Sequence, residues 1–381
     1  MKKNIPFWTY EPEYHQHKKE ILGAIGRAIE SGKLILGKYV KRFEADFAAY
    51  CGCRYGIGVN SGTDAIFLGL KTLGIGEGDE VITVPNTAIP TVSAVVATGA
   101  KPVFIDIDLA TLLMDPAKLE SAITKRTKCI IPVHLYGNIC DMVKINQIAK
   151  RHRLTVLEDC AQAAGAMIDG RKAGSMSDIA AFSFYPTKII GAYGDGGMIV
   201  TNDKKLAECA EMLRMYGTKG EYFSLISGYN SRLDEIHASI LLWKLKRIES
   251  YITSRERIAT RYNEGLKNTE LILPFVSASV RHVWHLYVVR HPGRDAILHY
   301  FSKKKIDLMV HYRHPIHLQA AYLRLGYRKG DFPNTEAACE QILSLPIYPE
   351  FHEAEQMRII KELKIFLAPQ GSALRSRIRP S

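Results

Sequence analysis

The stretch TVLEDCAQAAGAMIDGRKAGSMSDIAAFSFYPTKIIGAYGDGGMIVT, residues 155–201, decides the fold class. It opens on an apolar run that ends in Leu157-Glu158-Asp159. A second run, 179–184, precedes Lys188, and a third, 198–201, follows the glycine-rich segment 191–197. Runs this short, rich in β-branched residues and closed by turn residues, predict buried strands. Outward from there the same pattern recurs at 55–59, 81–84, 102–105 and 129–133, with amphipathic stretches such as 63–73 and 141–152 between. Strand–helix alternation at that spacing predicts an α/β domain with a mainly parallel sheet covered by helices on both faces.

Further along, 234–264 runs without Gly or Pro, and Ile236, Ile240, Trp243, Arg247 and Ile248 fall near helical spacing. A long helix or a kinked pair linking two domains is expected there. Beyond about residue 265 the pattern changes. Segment 283–289 alternates like an exposed strand, 295–304 is helical, 306–310 is another strand, and 334–343 and 353–367 are helices. The expected division is therefore a large α/β domain over 1–255 and a small C-terminal α+β domain over 256–368. A disordered basic tail over 369–381 follows, holding Arg375, Arg377 and Arg379.

Composition narrows the function. The chain of 381 residues is 47% hydrophobic and 24% charged, which excludes disorder and collagen-like repetition. Lys and Arg number 51 against 39 Asp and Glu, a net charge of +12 that favours an anionic partner: phosphate, nucleotide, nucleic acid or membrane surface. No helix-turn-helix, zinc finger or aromatic-interleaved basic stripe is visible, so nucleic acid is not expected. Segment 81–100 carries no charge, but Pro85, Asn86 and Pro90 make it a poor membrane span. Seven cysteines in an odd set without CxxC, and a basic start lacking an apolar run, predict reduced thiols in a cytoplasmic protein without a signal peptide. Gly74, Gly76 and Gly78 follow a helix and precede a strand, the wrong order for a dinucleotide loop. His311, His314 and His317 are interrupted by Pro315 with no carboxylate cluster beside them. They predict no metal site and are expected to line a substrate cleft.

Ligands of open α/β sheets sit outside the carboxyl ends of the strands, where Asp159 and Lys188 both fall. Alone, each is an ordinary cap or solvated side chain. Together they suit pyridoxal phosphate, which needs an amine for a Schiff base and a carboxylate to keep its ring nitrogen protonated. Asn60-Ser61-Gly62-Thr63-Asp64 lies between a strand and a helix, so a helix N-terminus points at an anion there. Ser183, five residues before Lys188, adds a hydroxyl.

The order of short motifs carries a resemblance. These are SGTDAI at 61–66, GEGDEVITVP at 76–85, GAKPVFIDID at 99–108, PVHLYG at 132–137, EDCAQAAGA at 158–166, FSFYPTK at 182–188, GDGGMIVT at 194–201, GYNSRLDEIHAS at 228–239 and LSLPIYP at 343–349. From about residue 10 to 367 the chain resembles the DegT/DnrJ/EryC1/StrS sugar aminotransferases, pyridoxal-phosphate enzymes of fold type I. The resemblance implies a large domain with a mainly parallel, seven-stranded mixed sheet and a smaller C-terminal domain. It makes Lys188 the Schiff-base lysine and proton shuttle, Asp159 the partner of the ring nitrogen, and Gln162 the contact to the 3-oxygen. Gly62, Thr63, Asp64 (through its backbone) and Ser183 become the phosphate cradle. Asn230 reaches the phosphate from the other subunit, which implies a homodimer with shared active sites. Relatives with His in place of the lysine are dehydratases, so Lys188 argues for transamination.

For substrate, the resemblance points to a nucleotide-linked keto sugar held by Tyr185, Lys219, His311 and Tyr312, with L-glutamate as amino donor in a ping-pong cycle. The loop around Asp195 and the NSRLDE segment most resemble the branch acting on dTDP-3-keto-6-deoxyhexoses. The alternatives are a 4-keto or UDP-linked sugar, or, in another class, a non-catalytic regulatory protein on the same fold. One departure stands out: many relatives place a stacking aromatic after the Thr of the PxT stretch, where Thr87 is here followed by Ala88.

Overall fold

Strand β1 (Tyr55–Val59) is followed by β2 (Glu80–Thr83), β3 (Lys101–Phe104), β4 (Thr127–Ile130) and β5 (Thr155–Asp159). The short strands β6 (Met167–Ile168) and β7 (Arg171–Lys172) come next, then β8 (Ile179–Ser183) and β9 (Gly197–Thr201). The computed structural model describes residues 4–220 and 222–368; the tail expected over 369–381 lies outside them. Seven strands form one sheet in the order β1-β9-β8-β5-β4-β2-β3. The pairs β8–β5, β5–β4, β4–β2 and β2–β3 are parallel, and β9 runs antiparallel to both of its neighbours. This is the mixed, mainly parallel α/β sheet expected. All five residues of β9 and the first four of β8 are buried, as strands covered on both faces must be.

The first seven helices are α1 (Glu11–Glu30), α2 (Lys38–Cys51), α3 (Gly62–Thr72), α4 (Ile89–Ala97), the short α5 (Leu119–Ala122), α6 (Met142–His152) and α7 (Lys204–Leu213). Their ends follow the sequence: Asp141 and Asp203 cap α6 and α7 through their carboxylates, and Gly52 ends α2 at φ +80. Helix α2 buries Phe43 and Phe47 against the sheet. Phe47 meets Phe182 and Phe184 edge-to-face, with ring centroids 5.0 and 5.1 Å apart.

Helices α8 (Glu235–Leu245) and α9 (Ile248–Leu266) realise the kinked pair. After them come β10 (Val280–Arg281), β11 (Tyr287–Arg290), α10 (Arg294–Lys303), α11 (Pro333–Gln341), β12 (Ile342–Leu345) and α12 (Glu353–Leu367). A second core, including Tyr262, Tyr287, Phe301, Leu343, Ile359 and Phe366, fills the space between α9, α10, α12 and the β11–β12 pair.

Three local expectations are corrected. The segment 283–289 is not an exposed strand: β11 begins only at Tyr287 and is buried throughout, and His285, the one histidine of the segment, also turns inward. Segment 306–310 makes only two isolated bridges, Ile306 to Ile5 and Met309 to Ser344. The helix expected to Leu343 stops at Gln341, where the chain enters β12 directly. Among the described residues no helix is long and apolar enough to cross a membrane.

Candidate active site

Strands β5 and β8 are parallel neighbours, so their carboxyl ends lie side by side. The first ends at Asp159; the second ends at Ser183, and the turn after it carries Lys188. Across β9, the chain leaves β1 and enters α3, whose N-cap Ser61 accepts from the Asp64 N–H at 3.1 Å. The N–H groups of Gly62 and Thr63, in the first turn, are left without intrahelical partners. A Cβ at Gly62 would stand 2.6 Å from Ser183 Cβ, so only glycine lets α3 come this close to β8.

These elements enclose a cavity of about 880 Å³. Of the residues expected at the site, Gly62, Thr63, Asp159, Gln162, Ser183, Tyr185, Lys188, His311 and Tyr312 line it, and Ala88 is on its wall. Three do not. Asp64 turns its carboxylate to Ser231 Oγ at 2.6 Å. Lys219 is exposed and pairs with Glu208 at 3.4 Å, and Asn230 is exposed on a segment bridged to Met215. The histidine run is split as well. His311 alone lines the cavity, His314 is exposed, and buried His317 bonds Glu336 at 3.1 Å beside Phe332. The one-residue Pro315 interruption places a different environment around each ring, which is why the run does not act as one surface.

The lysine is half-buried on the cavity wall, and desolvation of its amine pushes its ammonium down to about 8 although Asp159 favours the charge. Its amine makes no hydrogen bond or ion pair among the described residues. Asp159 is pushed up by burial, against hydrogen bonds from Thr91 Oγ1 at 2.8 Å and the Ala161 N–H at 3.1 Å. Gln162 accepts from the Tyr136 N–H at 2.7 Å and donates to Tyr312 Oη at 3.0 Å, while Tyr136 Oη donates to the His311 carbonyl. His311 shares a hydrogen bond with Ser344 at 2.9 Å, and burial beside Lys188 takes its imidazole down to about 4. A neutral ring there leaves burial, not a neighbouring cation, as the cause of the lysine's depressed proton affinity.

Sequence reasoning missed Thr91 and His285, both of which line the cavity. Thr91 shares its apolar helix with Ser93 and offered no distinguishing signal, and His285 was hidden among apolar residues. Another cluster, His134, Glu158 and Cys160, has the residue types of a metal site and is wholly buried. Glu158 already accepts from His134 Nε2, the Gly174 and Met176 N–H groups and Ser177 Oγ, all within 3.0 Å. Those donors outweigh burial and hold it below the usual carboxylate range. His134 Nδ1 is engaged too, by the Cys140 N–H at 3.1 Å. The cluster is a closed hydrogen-bonded brace behind Asp159.

The donor set fits pyridoxal phosphate: an unpaired, desolvated amine, a carboxylate clamped at the end of β5, and two free N–H groups with a serine hydroxyl where a phosphate would sit. The model of the DegT/DnrJ/EryC1/StrS aminotransferase family matches residues 15–364. A dTDP-3-amino-3,4,6-trideoxy-alpha-D-glucose transaminase of Micromonospora megalomicea subsp. nigra is 45% identical over 94% of this chain and 97% of its own. A pleiotropic regulatory protein of Geobacillus stearothermophilus is 43% identical over 95% and 98%. The crystal structure of S. venezuelae DesV in complex with a ketimine intermediate superposes with a TM-score of 0.95 at 41% identity, covering 96% of this chain and 99% of that one. Pyridoxal phosphate is the family's cofactor. With its motifs in order, its sheet and its cavity in place, the chain belongs to the DegT/DnrJ/EryC1/StrS aminotransferase family.

Proposed function

We propose that this aminotransferase moves the amino group of L-glutamate onto a dTDP-linked 3-keto-6-deoxyhexose, releasing a dTDP-3-amino-3,6-dideoxyhexose. The observation that carries it is the desolvated, unpaired Lys188 amine sharing one cavity with Asp159 and the α3 N-terminus. The sugar assignment rests on the similarity to the Micromonospora transaminase. The Geobacillus relative's regulatory name does not alter the reading, because a purely regulatory protein has no use for an amine kept ready to lose its proton.

When bound, pyridoxal phosphate supplies an aldehyde to hold the amino group and an electron-withdrawing ring to ease loss of a carbon-bound proton. Lys188 Nζ takes that proton from the donor's α-carbon and, in the second half of the cycle, returns one at the sugar's C3. Asp159 holds the proton on the ring nitrogen, and Gln162 positions the ring's 3-oxygen. Gly62, Thr63, Asp64 and Ser183 bind the phosphate, with Asp64 exchanging its bond to Ser61 Oγ for it. Tyr185, His311 and Tyr312 face the sugar nucleotide. Asn230 and Lys219 act on the partner's site in a homodimer, a reading supported by the neighbouring aromatics Tyr222 and Phe223, 91% and 68% exposed in the single chain. The division at residues 255/256 belongs to the same reading: most of the second core begins at Ile258. Free cysteines throughout the described chain suit the cytoplasm.

The test is a half-reaction. The holoenzyme is treated with glutamate, freed of donor, and mixed separately with 3-keto and 4-keto dTDP-sugars while near-visible absorbance and product mass are followed. The original absorbance returns only with the 3-keto sugar. Return with the 4-keto sugar alone moves the assignment to that regiochemistry, and no response to glutamate overturns the donor.

A further inference from the structure

Helix α4, IPTVSAVVA, is apolar along most of its length, yet Thr91 in its first turn is buried and lines the cavity. A buried helical threonine ordinarily satisfies its hydroxyl on the carbonyl four residues back. Here the residue four back is Thr87, and the partner is its side chain: the two Oγ1 atoms are 2.8 Å apart. Thr91 Oγ1 also lies 2.8 Å from Asp159 Oδ2. An ionised carboxylate has no proton to give, so the chain has one direction, Thr87 donating to Thr91 and Thr91 donating to Asp159.

The other carboxylate oxygen, Oδ1, accepts from the Ala161 N–H at 3.1 Å. Asp159 is therefore clamped from two sides, by α4 and by the turn after β5, and cannot rotate without breaking one bond. The first turn of α4 adds its partial positive charge on the same side as Thr91. Both hydroxyls are almost fully buried, where leaving either unbonded costs free energy.

We propose that Thr91, with Thr87 behind it, is a positioning residue for Asp159, fixing the rotamer of the carboxylate and keeping ionised the group that meets the cofactor's ring nitrogen. This rests on the role given to Asp159 above. A hydrogen bond to a charged group contributes enough for its removal to be felt at about ten- to a hundredfold.

The test uses the full-length enzyme as wild type, Thr91→Val, Thr91→Ser, Thr87→Val and Asp159→Ala. Pyridoxal phosphate affinity of the apoenzyme, kcat and KM for the keto sugar, and melting temperature are measured. Thr91→Val weakens cofactor binding and lowers kcat by about ten- to a hundredfold each, with KM for the sugar unchanged within about twofold. Thr91→Ser restores both to within about threefold, because it keeps the donor and loses only a methyl. Wild-type affinity and kcat in Thr91→Val overturn the proposal, as does a Thr91→Ser variant as impaired as Thr91→Val, which would make packing the role. Should Thr91→Val not fold, Thr87→Val decides: a loss of about two- to fivefold in cofactor affinity supports the chain and none overturns it. Asp159→Ala separates the two levels. If it too is wild type, the reading of Asp159 falls and takes this proposal with it; if it fails while Thr91→Val does not, only the hydroxyl chain falls.

Discussion

At the scale of single residues, the site turns on an amine that is desolvated but unpaired. In the proposed reading, Lys188→Ala lowers kcat by about a thousandfold or more with the melting temperature little changed, measured by steady-state turnover and thermal unfolding of the same preparation. The depressed ammonium also gives a pH signature. Only the neutral amine attacks a carbonyl, and with the group near 8 the neutral fraction grows about tenfold per pH unit below that point and levels off above it. Stopped-flow capture of pyridoxal phosphate by the apoenzyme should rise and flatten accordingly; a rise continuing unbroken to pH 10 would show an amine with its ordinary affinity for protons. Lys188, Asp159, Gln162 and Ser183 were legible because each lies in a motif tied to a strand end. Thr91 was not, since a hydroxyl in an apolar helix looks the same whether it bonds its own helix or a carboxylate 68 residues away. Lys219 and Asn230 were placed by motif, and a motif does not say which chain's cavity a loop serves.

At the scale of elements, the approach of α3 to β8 leaves no room for a side chain at the cavity wall. Gly62→Ala sets a methyl 2.6 Å from Ser183 Cβ and must push the helix start away. The expected result is a loss of pyridoxal phosphate affinity of about tenfold or more with the fold retained, read by titration of the apoenzyme. Helix α9 holds the opposite wall through Arg255, whose Nη1 reaches the carbonyls of Trp284, His285 and Ile347 at 3.1, 3.3 and 2.9 Å. Arg255→Ala leaves those carbonyls unpaired inside the molecule and should cost about 3 kcal/mol or more in urea unfolding. The sheet strands were legible from their unbroken apolar runs. The segment 283–289 was not: its pattern mimics an exposed strand, and long-range bonds from Arg255 of α9 to the Trp284 and His285 carbonyls hold it inside. The end of α11 was hidden for a simpler reason, because Ile342 and Leu343 extend its apolar pattern while belonging to β12.

At the scale of the whole molecule, the proposed dimer makes each site depend on two chains. Lys188→Ala and Asn230→Asp would each disable both sites of their own homodimers. In a mixed dimer, one site recovers the lysine from one chain and the asparagine from the other. Subunit exchange between the two variants should therefore restore about a quarter of wild-type activity at random assortment. No recovery from a verified mixed dimer would return Asn230 to its own chain. The arrangement of the cavity has a further consequence. Its carboxylate ends one central strand and its amine lies in the turn after the neighbouring one, whereas Asp307, Met309, His311 and Tyr312 reach it from more than a hundred residues later in the chain. In the proposed reading, mutations in this late part of the sugar-facing wall need not disturb the sheet that holds the amine. A lineage can thus drift from one hexose to another by small neutral steps while inheriting its reaction intact, and divergence among such enzymes should concentrate in that late segment.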